Sequence, residues 1–381
     1  MALSDRAAEQ QPDDSPRQGS TEIAELSQRG YQLLKENLLS EAEDCFRRIL
    51  EYEETNNYAL VGLGDAARKR RDYRGAVTYY EKCLEHHPDN NYALFGLADC
   101  FKSLKYFHRA IKVWERYLQH DDQNVTVLTR VADAYRKVRD FPNSRDLYLR
   151  VLEMQKDNAY ALIGLGHLHY DFKEYAGALH YWGRMHELHG DSVDIRVLTS
   201  MGNCHRKMKT FAEGVPYFEK ALARQPTNFY ALFGLADCHR GMGNPERSLE
   251  YWNRILERDP SNKVILTRAG DAYRCMDQLE LAERYYTKAL NIEFDQYAIL
   301  GLALINKARG NMRQAVESLN GLLRSDSGNP RLYLELAECH LKLGERREAL
   351  QVLQQLETIG VKGRTITAFY DRLKQQLQSA R

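Results

Sequence analysis

The sequence predicts an all-α solenoid of stacked two-helix hairpins closed by a C-terminal capping helix. Three observations predict it. A large apolar residue returns at Leu60, Leu94, Leu128, Leu162, Leu198, Leu232, Leu266, Ile299 and Tyr333, in steps of 34, 34, 34, 36, 34, 34, 33 and 34 residues. A period of this length marks a stacked repeat. Each period carries two helical stripes separated by a polar stretch, and small and bulky residues keep fixed columns from one period to the next. That is the pattern of helices crossing at close range and interdigitating.

The elements follow in chain order. Residues 1–22 are polar and rich in Gln, Asp, Ser and Pro. They lack the apolar core of a secretory signal and read as a disordered tail. Ten units then span 23–363: 23–56, 57–90, 91–124, 125–158, 159–194, 195–228, 229–262, 263–295, 296–329 and 330–363. In the second, with Asn57 as position 1, Leu60, Leu63, Gly64 and Ala67 form one helical stripe. Ala76, Tyr80 and Cys83 form another, Arg70-Arg71-Asp72 lies between, and Pro88 closes the unit.

Position 20 is small throughout, from Ala42 and Ala76 to Ala315 and Ala349, and so is position 8, from Gly30 and Gly64 to Ala303 and Ala337. Position 24 is bulky: Phe46, Tyr80, Trp114, Tyr148, Trp182, Phe218, Trp252 and Tyr286, then Leu319 and Leu353. Asn90, Asn124, Asn158, Asn228, Asn262 and Asn329 each close a unit. They suit a helix N-cap, worth about 1 kcal/mol. Pro142 and Pro245 fall at second-helix starts, where a missing N–H costs little, and Pro216 falls a turn later, where it should distort the helix. The last segment, 364–381, carries Ile366, Phe369, Tyr370, Leu373 and Leu377 on one helical face and reads as the cap.

These columns resemble the tetratricopeptide repeat (TPR) family, whose helix–turn–helix unit has small residues at 8, 20 and 27, aromatics near 11 and 24, and proline near 32. The likeness covers about residues 23–363 and implies a right-handed superhelix of about ten repeats. Position 27 departs from it at Cys83, Tyr117, Val151, Met185 and Ile255, and position 32 is proline only at Pro88, Pro226 and Pro260.

Composition narrows the function. With 54 basic and 53 acidic side chains the net charge is +1. That balance argues against a dedicated nucleic-acid or membrane-surface binder. No apolar run is long enough to span a membrane. Of the seven cysteines, Cys100, Cys204, Cys238 and Cys339 share position 10, elsewhere mostly alanine. They read as small buried residues with reduced thiols, which fits a cytoplasmic setting. No phosphate loop, nucleophile elbow or zinc spacing occurs, so the expectation is a non-enzyme without cofactor or metal. The histidines His167, His169, His180, His186 and His189 cluster in one unit, but His169 shares a packing column with His205, His239 and His340. Arg68-Lys69-Arg70-Arg71 is the densest basic run and sits where a first helix should end, which suits cations.

The TPR resemblance implies that positions 2, 5, 6, 9, 12 and 13 of each first helix face a concave groove that takes a partner segment. Position 2 supplies Tyr58, Tyr92, Tyr160, Tyr230 and Tyr297. Position 9 supplies Asp65, Asp99, Asp133, Asp237 and Asp271, and position 12 supplies Arg68, Lys102, Arg136, Arg206, Arg240 and Arg274. Position 6 alternates Gly62, Gly96, Gly164 and Gly234 with Arg130 and Arg268. The tyrosines offer rigid contact area, and Asp and Arg offer directional hydrogen bonds. The same Asp and Arg also suit i, i+3 pairing within one helix. Aspartate at position 9 does not match the Lys/Asn clamp that co-chaperone relatives close on a terminal carboxylate.

The expected role is a scaffold or adaptor binding a protein or peptide. A homo-oligomeric assembly protein and a regulatory arm of an enzyme on another chain are the alternatives. Two further features stand out. Tyr92 to Cys100 repeats as Tyr230 to Cys238, and Leu128-Thr129-Arg130 repeats as Leu266-Thr267-Arg268, both at an offset of 138 residues. The unit 159–194 is two residues longer than its neighbours, so a hinge is expected around His189 to Asp194.

Overall fold

The computed structural model describes residues 15–379, and among them are 21 α-helices and no strands. Two compact units divide the chain, at Gly190 and Asp191. The first holds α1 (Ser15–Lys35), α2 (Leu39–Tyr52), α3 (Asn57–Lys69), α4 (Tyr73–His86), α5 (Asn91–Ser103), α6 (Phe107–His120), α7 (Val125–Lys137), α8 (Phe141–Met154), α9 (Ala159–Asp171) and α10 (Tyr175–His189). The second holds α11 (Ile195–Met208), α12 (Phe211–Arg224), α13 (Phe229–Gly241), α14 (Pro245–Leu256), α15 (Lys263–Cys275), α16 (Leu279–Ile292), α17 (Gln296–Ala308), α18 (Met312–Ser325), α19 (Pro330–Leu343), α20 (Arg346–Ile359) and α21 (Arg364–Ser379). A 3-10 turn, Gly190–Ser192, lies in the two-residue insertion, so the unit boundary falls where the period slips.

Each compact unit is an α-solenoid. A first helix packs on its own second helix, and within each unit that second helix packs on the first helix of the next hairpin, while α1, α3, α7, α11 and α15 also pack on the next first helix. The helix ends follow from capping. Asn90, Asn124, Asn158, Asn228 and Asn262 each accept a hydrogen bond from the backbone N–H three residues on, at 2.9–3.2 Å. Asn329 accepts from the Arg331 N–H instead, and Asn56 and Asp194 serve as caps that the pattern did not single out. Pro142 and Pro245 lie in the first turns of α8 and α14. Pro216 does not interrupt α12, which runs through it to Arg224.

The start of the chain differs from expectation. Residues 1–14 lie outside the described residues, but 15–22, assigned to the tail, are the first turns of α1. Glu22 there pairs with Arg48 of α2 at 2.9 Å. At the other end α21 packs on α19 and buries Tyr370 and Leu373 against the last hairpin.

Position 15, between the two helices of every hairpin, has left-handed backbone. It is glycine at Gly243, Gly310 and Gly344 but Asn37, Arg71, Lys105, Arg139, Lys173, Lys209 and Asp277 elsewhere, with φ of 59–65° at these seven. A side chain there costs about 1 kcal/mol, which the tight turn imposes at each step of the stack.

The core is a file of rings. Tyr80, Trp114, Trp182, Trp252, Tyr286, Phe46 and Phe218, all at position 24, are among the largest fully buried side chains. Each phenyl or phenol ring is wedged between two helix backbones. A Cβ added to Gly64 would lie 2.6 Å from the Tyr80 ring, and one added to Gly96 of the next hairpin 2.4 Å from it. Gly62 meets Phe46, Gly164 meets Tyr148, Gly234 meets Phe218 and Gly301 meets Tyr286 in the same way. Position 6 glycine is therefore a seat for the preceding ring, a role that the TPR pattern did not imply. After the three tryptophans, position 6 is Arg130, Ser200 or Arg268.

Candidate functional site: the face of the first helices

The site is built on the first helices α3 and α5 and then on every second first helix, α9, α13 and α17. Asn capping fixes the start of α3, α5, α9 and α13, so position 2 falls in the first turn, above the packed seam. Tyr58, Tyr92, Tyr160, Tyr230 and Tyr297 are all 60% or more exposed, Tyr92 reaching 80%. The three tyrosines of the first unit border clefts. One of about 450 Å³ is lined by Tyr31, Tyr58, Val61, Asp65 and Tyr92. A second of about 440 Å³ is lined by Asp65, Arg68, Tyr92, Phe95 and Tyr117. A third of about 500 Å³ holds Arg130, Asp133, Arg136, Tyr160, Ile163 and His167. Val61, Phe95 and Ile163 all occupy position 5, a column that is threonine at Thr129, Thr199 and Thr267 and whose residues sequence reasoning did not pick out. Tyr117 comes from a second helix, beyond the reach of a first-helix pattern.

The charged columns pair within the chain, in two ways. Within a helix, Arg68 bonds Asp65 at 2.8 Å, Arg136 bonds Asp133 at 2.7 Å and Arg240 bonds Asp237 at 2.6 Å, as i, i+3 spacing allows. Between hairpins, Lys102 reaches Asp133 at 3.2 Å, Arg206 reaches Asp237 at 2.8 Å, and Arg68 approaches Asp99 at 3.8 Å. Arg130 bonds Asp99 with its guanidinium 4.9 Å above the Phe95 ring, and Arg136 also bonds Asp171. The wedged phenols join in: the Tyr80 hydroxyl donates to Asp65 and the Tyr286 hydroxyl to Asp271, both at 2.8 Å.

Burial pushes the Asp133 carboxyl up, but hydrogen bonds from Arg136 and Lys102 outweigh it and hold the group below the ordinary range. Asp237 behaves likewise, with burial opposed by Arg206 and Arg240. These aspartates are thus ties between successive hairpins, a role that i, i+3 spacing alone does not reveal. What faces solvent is the tyrosine row and the apolar floor beside it.

The remaining candidates are absorbed by packing. His169 bonds Glu174 at 2.7 Å, and His167 lies against Trp182. Among the described residues no group of three His, Cys, Asp or Glu side chains is placed to hold a metal ion. Cys100, Cys204, Cys238 and Cys339 are buried, and burial pushes their thiols up to about 11 to 12. Lys69 bonds the Leu34 carbonyl and Arg70 bonds Ser40, so the basic run is used in joining hairpins. No described helix is long and apolar enough to cross a membrane.

Models of the tetratricopeptide repeat match residues 61–125 and 130–192, 205–266 and 307–362, and 265–296. No curated protein matches the chain. Among solved structures it is similar to a tetratricopeptide repeat protein from Parabacteroides merdae, at 16% identity and TM-score 0.40, over 75% of this chain and 99% of that one. It is also similar to yeast Tom70, at 14% identity and TM-score 0.42, over 94% of this chain and 97% of that one. YrrB, described as a TPR protein with an unusual peptide-binding site, aligns at 18% identity and TM-score 0.41, over 49% of this chain and 95% of that one. With the repeat recognised along most of its length, the chain belongs to the tetratricopeptide repeat family.

Proposed function

We propose that the protein is a non-enzymatic scaffold that binds an extended segment of another protein along its first helices. One observation carries the reading. Five tyrosines at one repeat position stand exposed, the three of the first unit beside clefts with partly apolar linings, while the charges around them are largely spent on one another. Rings of this kind give contact area at small entropic cost, and interface hot spots are enriched in them. The same alternation sets a spacing of one anchor per hairpin or per two hairpins, which suits a segment lying across the stack. Free thiols, six of the seven buried, support a cytoplasmic setting.

The test is selection of a random-peptide phage library on the full chain, followed by affinity measurement on single peptides. Replacing Tyr92 and Tyr160 by Ser is expected to weaken peptides bound by the first unit about tenfold or more, since each change removes an exposed ring and leaves the core intact. Equal affinity for wild type and variant, across all enriched peptides, would overturn the reading.

A further inference from the structure

The two copies of the LTR-type hairpin carry the same residues in different states of pairing. In α7, Arg130 is matched by Asp99 and capped by Phe95, and Arg136 is matched by Asp133 and Asp171. The equivalents in α15 are Arg268 and Arg274. The acid that corresponds to Asp99 is Asp237, and Arg206 and Arg240 already hold it, at 2.8 and 2.6 Å. Arg206 also takes the ring corresponding to Phe95, lying 5.7 Å from the Phe233 centroid. Arg268 is left half-buried with no ion pair, hydrogen bond or ring partner among the described residues. On the other side, the position of Asp171 is occupied by Ala308, and position 9 of α17 is Leu304. Arg274 is held only by the Tyr286 hydroxyl at 3.4 Å and by Asp271 at 3.9 Å.

We infer that the face of α13, α15 and α17 recognises an acidic segment of a partner protein, with Arg268 and Arg274 each taking a carboxylate. This rests on the groove reading above and adds the chemistry of the occupant. A guanidinium kept half out of water favours an anion, and a carboxylate matches its donor geometry in two parallel hydrogen bonds. Tyr230 and Tyr297, in the first turns of α13 and α17, are well exposed and supply ring contact on the first helices that precede and follow α15. The occupant is therefore an extended chain bearing Asp or Glu next to apolar side chains. A nucleic-acid backbone fits less well, because Asp237 and Asp271 interrupt the cations on this face and would repel a continuous run of phosphates.

The experiment uses the full chain and the same random-peptide phage library. Enriched peptides are expected to carry Asp and Glu. A fluorescein-labelled copy of the most enriched acidic peptide should bind about tenfold more weakly to Arg268→Gln and to Arg274→Gln. Arg268→Lys should recover part of the loss, and raised salt should weaken the wild-type complex. Arg268→Gln should melt at the wild-type temperature, because that side chain has no internal partner, so the loss is not one of folding. Enriched peptides that are neutral and insensitive to Arg268→Gln, yet weakened by Tyr230→Ser, would overturn the acidic partner and leave the groove reading standing. Peptides insensitive to Tyr230→Ser and Tyr297→Ser, and also to Tyr92→Ser and Tyr160→Ser, would overturn both. Tighter binding of a labelled single-stranded oligonucleotide, lost in Arg268→Gln, would overturn the acidic segment in favour of phosphate.

Discussion

Replacing Gly96 by alanine puts a methyl group where the Tyr80 ring already is. The new Cβ would lie 2.4 Å from Tyr80 Cζ and 2.7 Å from its hydroxyl oxygen, so one of them must move by about 1 Å to reach ordinary contact. The ring has no free side. Its other edge abuts Gly64, where a Cβ would stand 2.6 Å away, and its hydroxyl is tied to Asp65. Overpacking costs about 1–3 kcal/mol, and confinement on both sides places this case at the upper end. Alanine recovers about 1 kcal/mol of helix propensity. The net loss is about 2 kcal/mol, or about 4–8 °C for a folded body of this size.

The assay is thermal unfolding followed by circular dichroism, with Gly183→Ala in α10 and Gly321→Ala in α18 as controls. An added Cβ meets nothing within 4 Å at either control site, so both should gain about 1 kcal/mol. Tyr80→Leu in the Gly96→Ala background should recover part of the loss, as coupling between touching residues requires. A Gly96→Ala protein as stable as the Gly183→Ala protein would refute the wedged-ring account of the stack.

Three further outcomes are expected. The depressed carboxyls of Asp133 and Asp237 contribute stability above their ordinary pKa of 3.8, and lose it as the pH falls through the lower folded value. Wild type should therefore lose more stability than Asp133→Asn/Asp237→Asn as the pH falls below the ordinary carboxyl value of 3.8, and parallel pH profiles would dismiss the ties. At the left-handed turn, Lys105→Gly and Arg139→Gly should be neutral or stabilising by up to about 1 kcal/mol, whereas Gly243→Val should destabilise by more than that in denaturant titrations. The hinge proposed at 189–194 predicts a broad distribution of distances between spin labels placed one in each compact unit; a single narrow distance would remove it.

The architecture was legible because its signals are local. Small residues at positions 8 and 20, rings at 24 and Asn at the unit ends each show by residue type in a fixed column, and each does in the structure what its chemistry suggests. What escaped depends on neighbours a whole repeat away. Arg130 finds Asp99 across 31 residues, and Gly96 seats a ring 16 positions earlier; neither partner is implied by helical spacing. The left-handed turn was hidden because Lys, Arg, Asn or Asp occupies it in seven hairpins and glycine in only three. The start of α1 was hidden for a related reason: a polar stretch with few apolar residues has no face to announce it. At the candidate site the tyrosine row could be read from one column. That the aspartates beside it are engaged in joining hairpins could not, since their cross-hairpin partners lie on other helices.

The central claim is that partners lie along the first helices. A selected peptide carrying a photoreactive benzophenone, cross-linked to the full chain and mapped by mass spectrometry, tests it most directly. The account predicts adducts on α3, α5, α7 and α9, or on α13, α15 and α17, near the exposed tyrosines. Adducts confined to the second helices, α4, α6 and α8 or α14, α16 and α18, would contradict it.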